Sequence, residues 1–161
     1  MAKKKLSRDQ KRKQKKRKRT RKSSVFGQRL VEQMRREGVD VKFAHNPRGV
    51  PKMSEVLQEF IAPYQHIPED EEAMHKLIIT AVVAWNVALM PESDRADYLA
   101  RFAKTLPKEV REDFYNIVGE LIERKEKYFA RHNRMIIDYE LVDLGDAYHI
   151  AVISTMPGQK L

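Results

Sequence analysis

The sequence predicts a mainly α-helical, α+β domain that follows a basic N-terminal arm and ends in a β-hairpin. Apolar residues recur at helical spacing in several segments, and the run from 77 to 90 is apolar on nearly every side. Near the C-terminus the pattern changes to β-branched and aromatic residues. We therefore expect about five helices around a central helix at about 69–90, with the hairpin at about 135–155.

The first 24 residues form the basic arm. Fourteen of them are Lys or Arg, and Asp9 is their one acidic residue. Leu6 is the one sizeable apolar side chain, so the arm cannot bury enough surface to offset its ordering entropy, and we expect it to be disordered when free. The basic residues are Lys3, Lys4, Lys5, Arg8, Lys11, Arg12, Lys13, Lys15, Lys16, Arg17, Lys18, Arg19, Arg21 and Lys22.

The charge of the chain is divided between two parts of opposite sign. The arm carries +13 and the whole chain +9, so residues 25–161 carry −4. We predict a disordered arm at 1–24, a single mainly helical domain at 25–155 and a short tail at 156–161. The chain has no cysteine, which excludes disulfides, zinc sites with thiolate ligands and a cysteine nucleophile.

The first part of the predicted domain contains two amphipathic helices and a connection. Phe26, Leu30, Val31 and Met34 recur at helical spacing before Gly38. Residues 39–52 predict a loop or a short extended piece, because Asn-Pro-Arg-Gly lies within them. Ser54 is the expected cap of a second, short helix that ends at Pro63; its apolar residues are Leu57, Phe60 and Ile61.

The central helix begins in a Pro-Glu-Asp-Glu-Glu segment, where proline and acidic residues suit a first turn, and it ends at Pro91. Ser93 or Asp94 is the expected cap of the next helix, whose inner face is Tyr98, Leu99 and Phe102. Pro107 opens a long helix that continues through Tyr128 and Phe129. Its predicted apolar face is Val110, Phe114, Ile117, Val118, Leu121 and Ile122.

The C-terminal segments 135–144 and 147–155 are predicted to form the hairpin. They are joined by Gly145 and Asp146, a dipeptide type that favours tight hairpin turns. A hairpin alone is marginally stable, so we expect one face to pack on the helices or an edge to pair with another sheet. We place Asp138 and Glu140 on the solvent-exposed face.

The arm is the strongest functional signal in the sequence. Each Lys or Arg that meets a phosphate releases a condensed counterion, so binding to nucleic acid would be strong and salt-sensitive. The arm has no aromatic residue for base stacking, which predicts poor sequence specificity. A basic extension joined to a globular body is also the layout of many ribosomal proteins. We therefore expect RNA, rRNA above all, as the partner of the arm.

The body supplies few candidates for chemistry. Glu72 and His75 match half of a carboxylate di-metal motif, but no second half is present. Asp138, Glu140 and His149 are expected to be surface residues rather than an acid–base set. Phosphate-binding glycine loops and known hydrolase motifs are missing from the sequence. We therefore predict no catalytic residues, no metal site and no cofactor.

A second, weaker basic cluster lies at the end of the long helix, from Arg124 to Arg134. Cations at this end of a helix suit its dipole, and the alternative is that they extend the footprint of the arm on nucleic acid. Trp85 is expected in the core. Asn86, beside it, would need hydrogen-bond partners if it were buried.

The expected function is a non-enzymatic, RNA-binding accessory protein associated with ribosomes or their assembly. A protein could also bind to the acidic body or to the hairpin edge. The alternative is a protein-interaction or regulatory helical domain whose arm is a targeting signal, or binds DNA or an anionic membrane surface. Without a secretory signal or an apolar run of about 20 residues, the expected location is the cytoplasm, or the nucleus in a eukaryote.

Overall fold

The computed structural model describes residues 27–29, 32, 36, 46–143 and 148–156 of the chain. The α-helices described in full are α1 (Met53–Ile61), α2 (Glu71–Ala88), α3 (Glu92–Ala103) and α4 (Arg111–Tyr128). Short 3-10 turns follow α1 at Ala62–Tyr64 and precede α4 at Lys108–Val110. Strands β1 (Ile136–Asp143) and β2 (Tyr148–Ser154) pair in a two-stranded sheet. The predicted mainly helical fold with a C-terminal hairpin is confirmed.

The chain divides into two compact units. The larger one comprises Asn46–Tyr139 and Val152–Leu161, and so contains α1 to α4 and the open end of the hairpin. The other comprises Met1–His45 and Glu140–Ala151. In that unit the structure describes the outer part of the hairpin and a few helical residues, 27–29, 32 and 36, where Arg36 pairs with Glu32 across one turn at 3.0 Å.

Local sequence explains the limits of the central helix. Asp70 caps α2, because its carboxylate accepts a 2.7 Å hydrogen bond from the Ala73 amide. Glu71 and Glu72 follow in the first turn, where the helix dipole favours negative charge. The helix ends at Ala88, before Pro91. The prediction of a central helix at about 69–90 is therefore correct within two residues at each end.

Two predicted caps were wrong. Helix α1 begins at Met53, so Ser54 lies inside its first turn, and Lys52 occupies the cap position without a side-chain hydrogen bond. Helix α3 begins at Glu92 after Pro91, which fixes an extended backbone there, so Ser93 lies inside the first turn too. In both cases the helix begins two residues earlier than a cap at Ser54 or Ser93 would require.

The core of the larger unit is centred on α2, which packs most extensively against α4. Trp85 of α2 is fully buried and contacts the rings of Phe60 and Phe129 edge-on, at centroid distances of 5.3 and 5.9 Å. Phe60 and Phe129 also meet edge-on, at 5.4 Å. Such aromatic pairs add to the hydrophobic contribution of their buried area. The prediction that Trp85 is a core residue is confirmed.

Helix α4 buries a narrower stripe than its sequence predicts. Phe114, Val118 and Leu121 are buried, which is the expected spacing for a helix that packs on one side. Ile117, by contrast, is 45% exposed and Tyr128 is 59% exposed. Val110 lies in the 3-10 turn before the helix and is also exposed. The apolar face was therefore predicted too wide.

The first residues of β1 are fixed by side chains of α2. Asn86 donates to the Ile136 carbonyl at 2.8 Å and accepts from the Ile136 amide at 2.9 Å, in the manner of a neighbouring strand. The Trp85 indole N–H donates to the Arg134 carbonyl at 2.9 Å. The polar partners that the sequence required for Asn86 are therefore backbone groups, and they tie the hairpin to the central helix.

A polar network surrounds the open end of the hairpin. The Arg134 guanidinium donates to the Thr155 carbonyl and to the Asn46 side chain, each at 2.7 Å. Thr155 bonds the Met135 backbone through both its amide and its hydroxyl. The turn after Asn46 uses Gly49, whose φ of 80° is the left-handed conformation that glycine adopts at no steric cost. The Val50 amide closes this turn on the Pro47 carbonyl at 3.2 Å, inside the segment 39–52 that was predicted to be a loop or a short extended piece.

Across the part of the chain that the structure describes, no helix combines the length and the apolar composition that crossing a membrane would require.

Candidate nucleic-acid interface

All 14 basic residues predicted to bind nucleic acid, from Lys3 to Lys22, lie outside the described residues. The arm therefore remains a prediction from sequence. The structure bears on the other basic cluster, from Arg124 to Arg134, which lies at the end of α4 and just after it.

Arg124 forms hydrogen bonds inside the body. Its guanidinium donates to the carbonyls of Phe60 at 2.9 Å and Glu59 at 3.3 Å, in the last turn of α1. The Glu59 carbonyl also accepts from the Ala62 amide, and both carbonyls lie at the negative end of the helix dipole, which the arginine complements. Arg124 thus joins α4 to α1.

Lys125 is more surprising, because it is a lysine with only 3% of its surface exposed. Its ammonium lies 5.1 Å from the centroid of the Trp85 ring, a cation–π arrangement. Burial lowers the pKa of Lys125, and the nearby Arg95 charge lowers it further, while Glu126 opposes the shift. This lysine is part of the core and is not available to a phosphate.

Two more cations near this end of the molecule are also engaged. Arg134 is half-buried in the network at the open end of the hairpin. Arg95 of α3 donates to the carbonyls of Ala88 and Met90 at the end of α2, and it pairs with Glu126 at 2.7 Å. Half of the basic cluster is therefore explained by contacts inside the body.

His132 of this cluster is partly buried. Burial lowers its pKa below the ordinary value of 6.5, and the positive charges of Arg131 and Lys125 lower it further, although Glu59 acts in the opposite direction. Lys127 and Arg131 are exposed, so they are the residues of the cluster whose charge faces solvent most freely.

Two cations of the cluster, Arg124 and Lys127, lie close to an exposed aromatic ring. Tyr128, the last residue of α4, has the Arg124 guanidinium carbon 5.4 Å and the Lys127 ammonium 5.1 Å from its ring centroid. The sequence analysis continued the helix through Tyr128 but did not single it out as a functional residue, because its exposure depends on which side of the helix faces solvent.

Glu72 and His75, the two residues of the half-motif for a metal, contact other side chains of the protein. Glu72 pairs with Lys76 at 2.8 Å across one helical turn. His75 Nδ1 lies 3.3 Å from the Tyr139 hydroxyl, and the two rings are tilted against each other. Among the residues that the structure describes, no three His, Asp or Glu side chains converge on a point that could hold a metal ion.

The acidic residues of β1 are less exposed than predicted. Asp138 is half-buried and accepts a hydrogen bond from the Tyr139 amide at 2.8 Å; burial raises the pKa of its carboxyl, and that hydrogen bond opposes the rise. Burial likewise raises the pKa of Tyr139, and the charge of Asp138 adds to the shift. Glu140 is half-buried as well. The prediction of a fully solvated acidic strand face was wrong, because both faces of the hairpin are partly covered.

Comparison of the chain with models of known protein families, with curated proteins and with solved structures found no match.

Proposed function

We propose that the protein is a non-enzymatic, RNA-binding accessory protein that associates with ribosomes or with their assembly. The arm would provide the affinity, through contacts of Lys and Arg with the phosphate backbone. The observation that carries the proposal is the charge division of +13 in the first 24 residues against −4 in the rest of the chain.

The body supports this proposal through a core of its own rather than through its charge. Its larger unit has a buried aromatic core of its own, and several of its cations satisfy backbone carbonyls inside the fold. A body of this kind can carry a binding arm without relying on the arm for its structure. The net negative charge of the body would repel RNA. The arm and any local basic patch would therefore determine where RNA binds.

Co-sedimentation with ribosomal particles tests the proposal. Tagged protein is centrifuged with a cell extract at low and at physiological salt, with and without ribonuclease. We expect it to sediment with ribosomal subunits, and to leave them on nuclease treatment or when salt is raised. A protein that stays in the light fractions under every condition would contradict the proposal.

A second candidate function is a protein-interaction domain whose arm serves as a targeting signal. The observation that favours it is the exposure of apolar residues on α4 and just before it: Val110, Tyr115 and Ile117 are each 43–45% exposed. Proteins bound through such a surface would stay attached at high salt and after nuclease treatment. The same co-sedimentation experiment therefore separates the two functions.

A further inference from the structure

The cluster at the end of α4 has a composition that the arm lacks. The arm contains many cations and no aromatic residue, whereas this cluster has an aromatic ring with cations around it. Tyr128 is 59% exposed, more than any other aromatic side chain among the described residues. A large apolar ring in water is unfavourable by itself, so a surface that maintains one next to several cations suggests a ligand with a matching face.

The cations around Tyr128 are held in two different ways. Arg124 is fixed, because its hydrogen bonds to Glu59 and Phe60 keep the guanidinium 5.4 Å from the Tyr128 centroid. Lys127 reaches the same ring at 5.1 Å from an exposed position. The site thus combines one preorganised cation, Arg124, with one that can adjust to a ligand, Lys127.

The charge of these cations is not neutralised by the acids beside them. Glu126, which lies between two lysines in the sequence, pairs with Arg95 instead. Every ion pair between residues that the structure describes uses other cations: Arg36, Lys52, Lys76 and Arg95. Among the described residues, the charges of Arg124 and Lys127 beside the ring are therefore not used in ion pairs.

We propose that Tyr128, with Arg124 and Lys127, binds an unpaired nucleotide of single-stranded RNA. The Tyr128 ring stacks on the base, and the cations contact the adjoining phosphates. This combination of an aromatic platform with basic residues is how proteins bind single strands without reading their sequence. An acidic peptide would use the cations but would leave the aromatic face without a partner. The inference rests on the proposed RNA-binding function and adds that the body selects unpaired strands.

Selection of unpaired strands requires the body, because the arm cannot distinguish single-stranded from double-stranded RNA. Contacts of cations with the phosphate backbone bind single and double strands alike, whereas bases within an A-form duplex are stacked on each other and their faces are closed. Stacking also depends less on salt than phosphate contacts do. The body should therefore add a preference for single-stranded RNA that becomes more evident as salt is raised.

The test uses the full-length protein and variants at Tyr128. Tyr128→Ala and Tyr128→Leu should each lower the affinity for a single-stranded RNA about tenfold, and Tyr128→Phe, which keeps the ring, should bind like the wild type. None of the three should change affinity for a duplex of the same length. The RNA carries a fluorescent adenine analogue, whose emission should be quenched on binding by the wild type and by Tyr128→Phe.

A matched control is available on the same helix. Tyr115 is 43% exposed, and its nearest ring neighbour is Phe114 at 5.8 Å, without a cation placed over its ring in the described part of the chain. Tyr115→Ala should leave RNA affinity and quenching unchanged. Thermal melts of all variants show whether each remains folded, and Tyr128→Leu is expected to melt like Tyr128→Phe.

The possible outcomes separate this inference from the proposed function. If the wild type binds neither the single-stranded RNA nor the duplex, the proposed function and the stacking site are both wrong. If the wild type binds RNA but Tyr128→Ala and Tyr128→Leu bind equally well, the stacking site is wrong and the arm remains sufficient. Equal losses for single strand and duplex, or an equal loss in Tyr115→Ala, would also overturn the stacking site. A loss confined to single strands and to the two variants without a ring supports it.

Discussion

At the scale of single residues, the body depends on a few side chains that join its elements. Trp85 contacts Phe60 and Phe129 through its ring and the chain before β1 through its indole N–H. The Lys125 ammonium lies over the same ring. These contacts come from three helices and a connecting segment, so each of these residues affects more than its own helix.

Trp85→Ala should lower the free energy of unfolding by about 3–5 kcal/mol, as truncations of large buried aromatics do. The change leaves a cavity between Phe60 and Phe129 and removes the partner of the Arg134 carbonyl. Urea unfolding followed by circular dichroism measures the loss. A shift of the thermal midpoint by only a degree or two would mean that the ring is not the centre of this core.

Lys125 gives the body a specific pH dependence. Its pKa in the folded protein is lowered from 10.5, so between the two values the unfolded chain binds more protons and the free energy of unfolding rises with pH. Below that window the folded protein bears the full cost of a buried ammonium. Lys125→Met should therefore stabilise the protein relative to the wild type most at neutral pH, and the difference should shrink as pH approaches 10.5.

Urea unfolding of the wild type and of Lys125→Met at several pH values checks this dependence. Lys127→Met is the control, because Lys127 is an exposed lysine outside the core. This variant should show no such pH trend. A Lys125→Met variant that is less stable than the wild type by the same amount at every pH would show that the cation–π contact with Trp85 outweighs the burial of the charge.

At the scale of secondary-structure elements, the long helix was predictable because its apolar residues follow the helical repeat, and the central helix because its apolar run lies between an acidic first turn and Pro91. The starts of α1 and α3 were harder to predict, because Ser54 and Ser93 resemble caps but Lys52 and Pro91 take those positions. The buried stripe on α4 was predicted too wide at Val110 and Ile117, since composition does not reveal where neighbouring helices end. The contacts of Asn86 and Arg134 join residues that are distant in the sequence, so no local sequence pattern predicts them.

Asn86 should control the start of β1. Replacing it with Leu keeps the volume but leaves the Ile136 amide and carbonyl without partners, which should cost about 1–3 kcal/mol. Hydrogen exchange should report the site: the Ile136 amide should exchange faster in Asn86→Leu, while amides in the middle of α4 should change only with global stability.

Thr80→Val on the same helix is a control, because the Thr80 hydroxyl bonds only the Lys76 carbonyl within α2. Unchanged protection of the Ile136 amide in Asn86→Leu would contradict the role of Asn86 as a substitute strand neighbour.

At the scale of the whole molecule, the charge division remains the central fact. The −4 of residues 25–161 would not attract RNA, and half of the second basic cluster is used inside the fold. The arm was evident from sequence because it depends on composition alone. The cluster around Tyr128 was not, because it depends on which side of a helix faces solvent. Affinity and strand preference should therefore lie in different parts of the chain.

The most direct test of the central claim is the salt dependence of RNA binding by the full-length protein, by a variant lacking residues 1–24, and by a variant in which the arm has the same composition in scrambled order. We expect the deletion to abolish binding to generic RNA at moderate salt, and the scrambled arm to bind like the wild type. If about eight phosphates are contacted, affinity should fall roughly a thousandfold or more between low and physiological salt. A truncated protein that keeps its RNA affinity, or a scrambled arm that loses it, would contradict the claim that the charge of the arm drives binding.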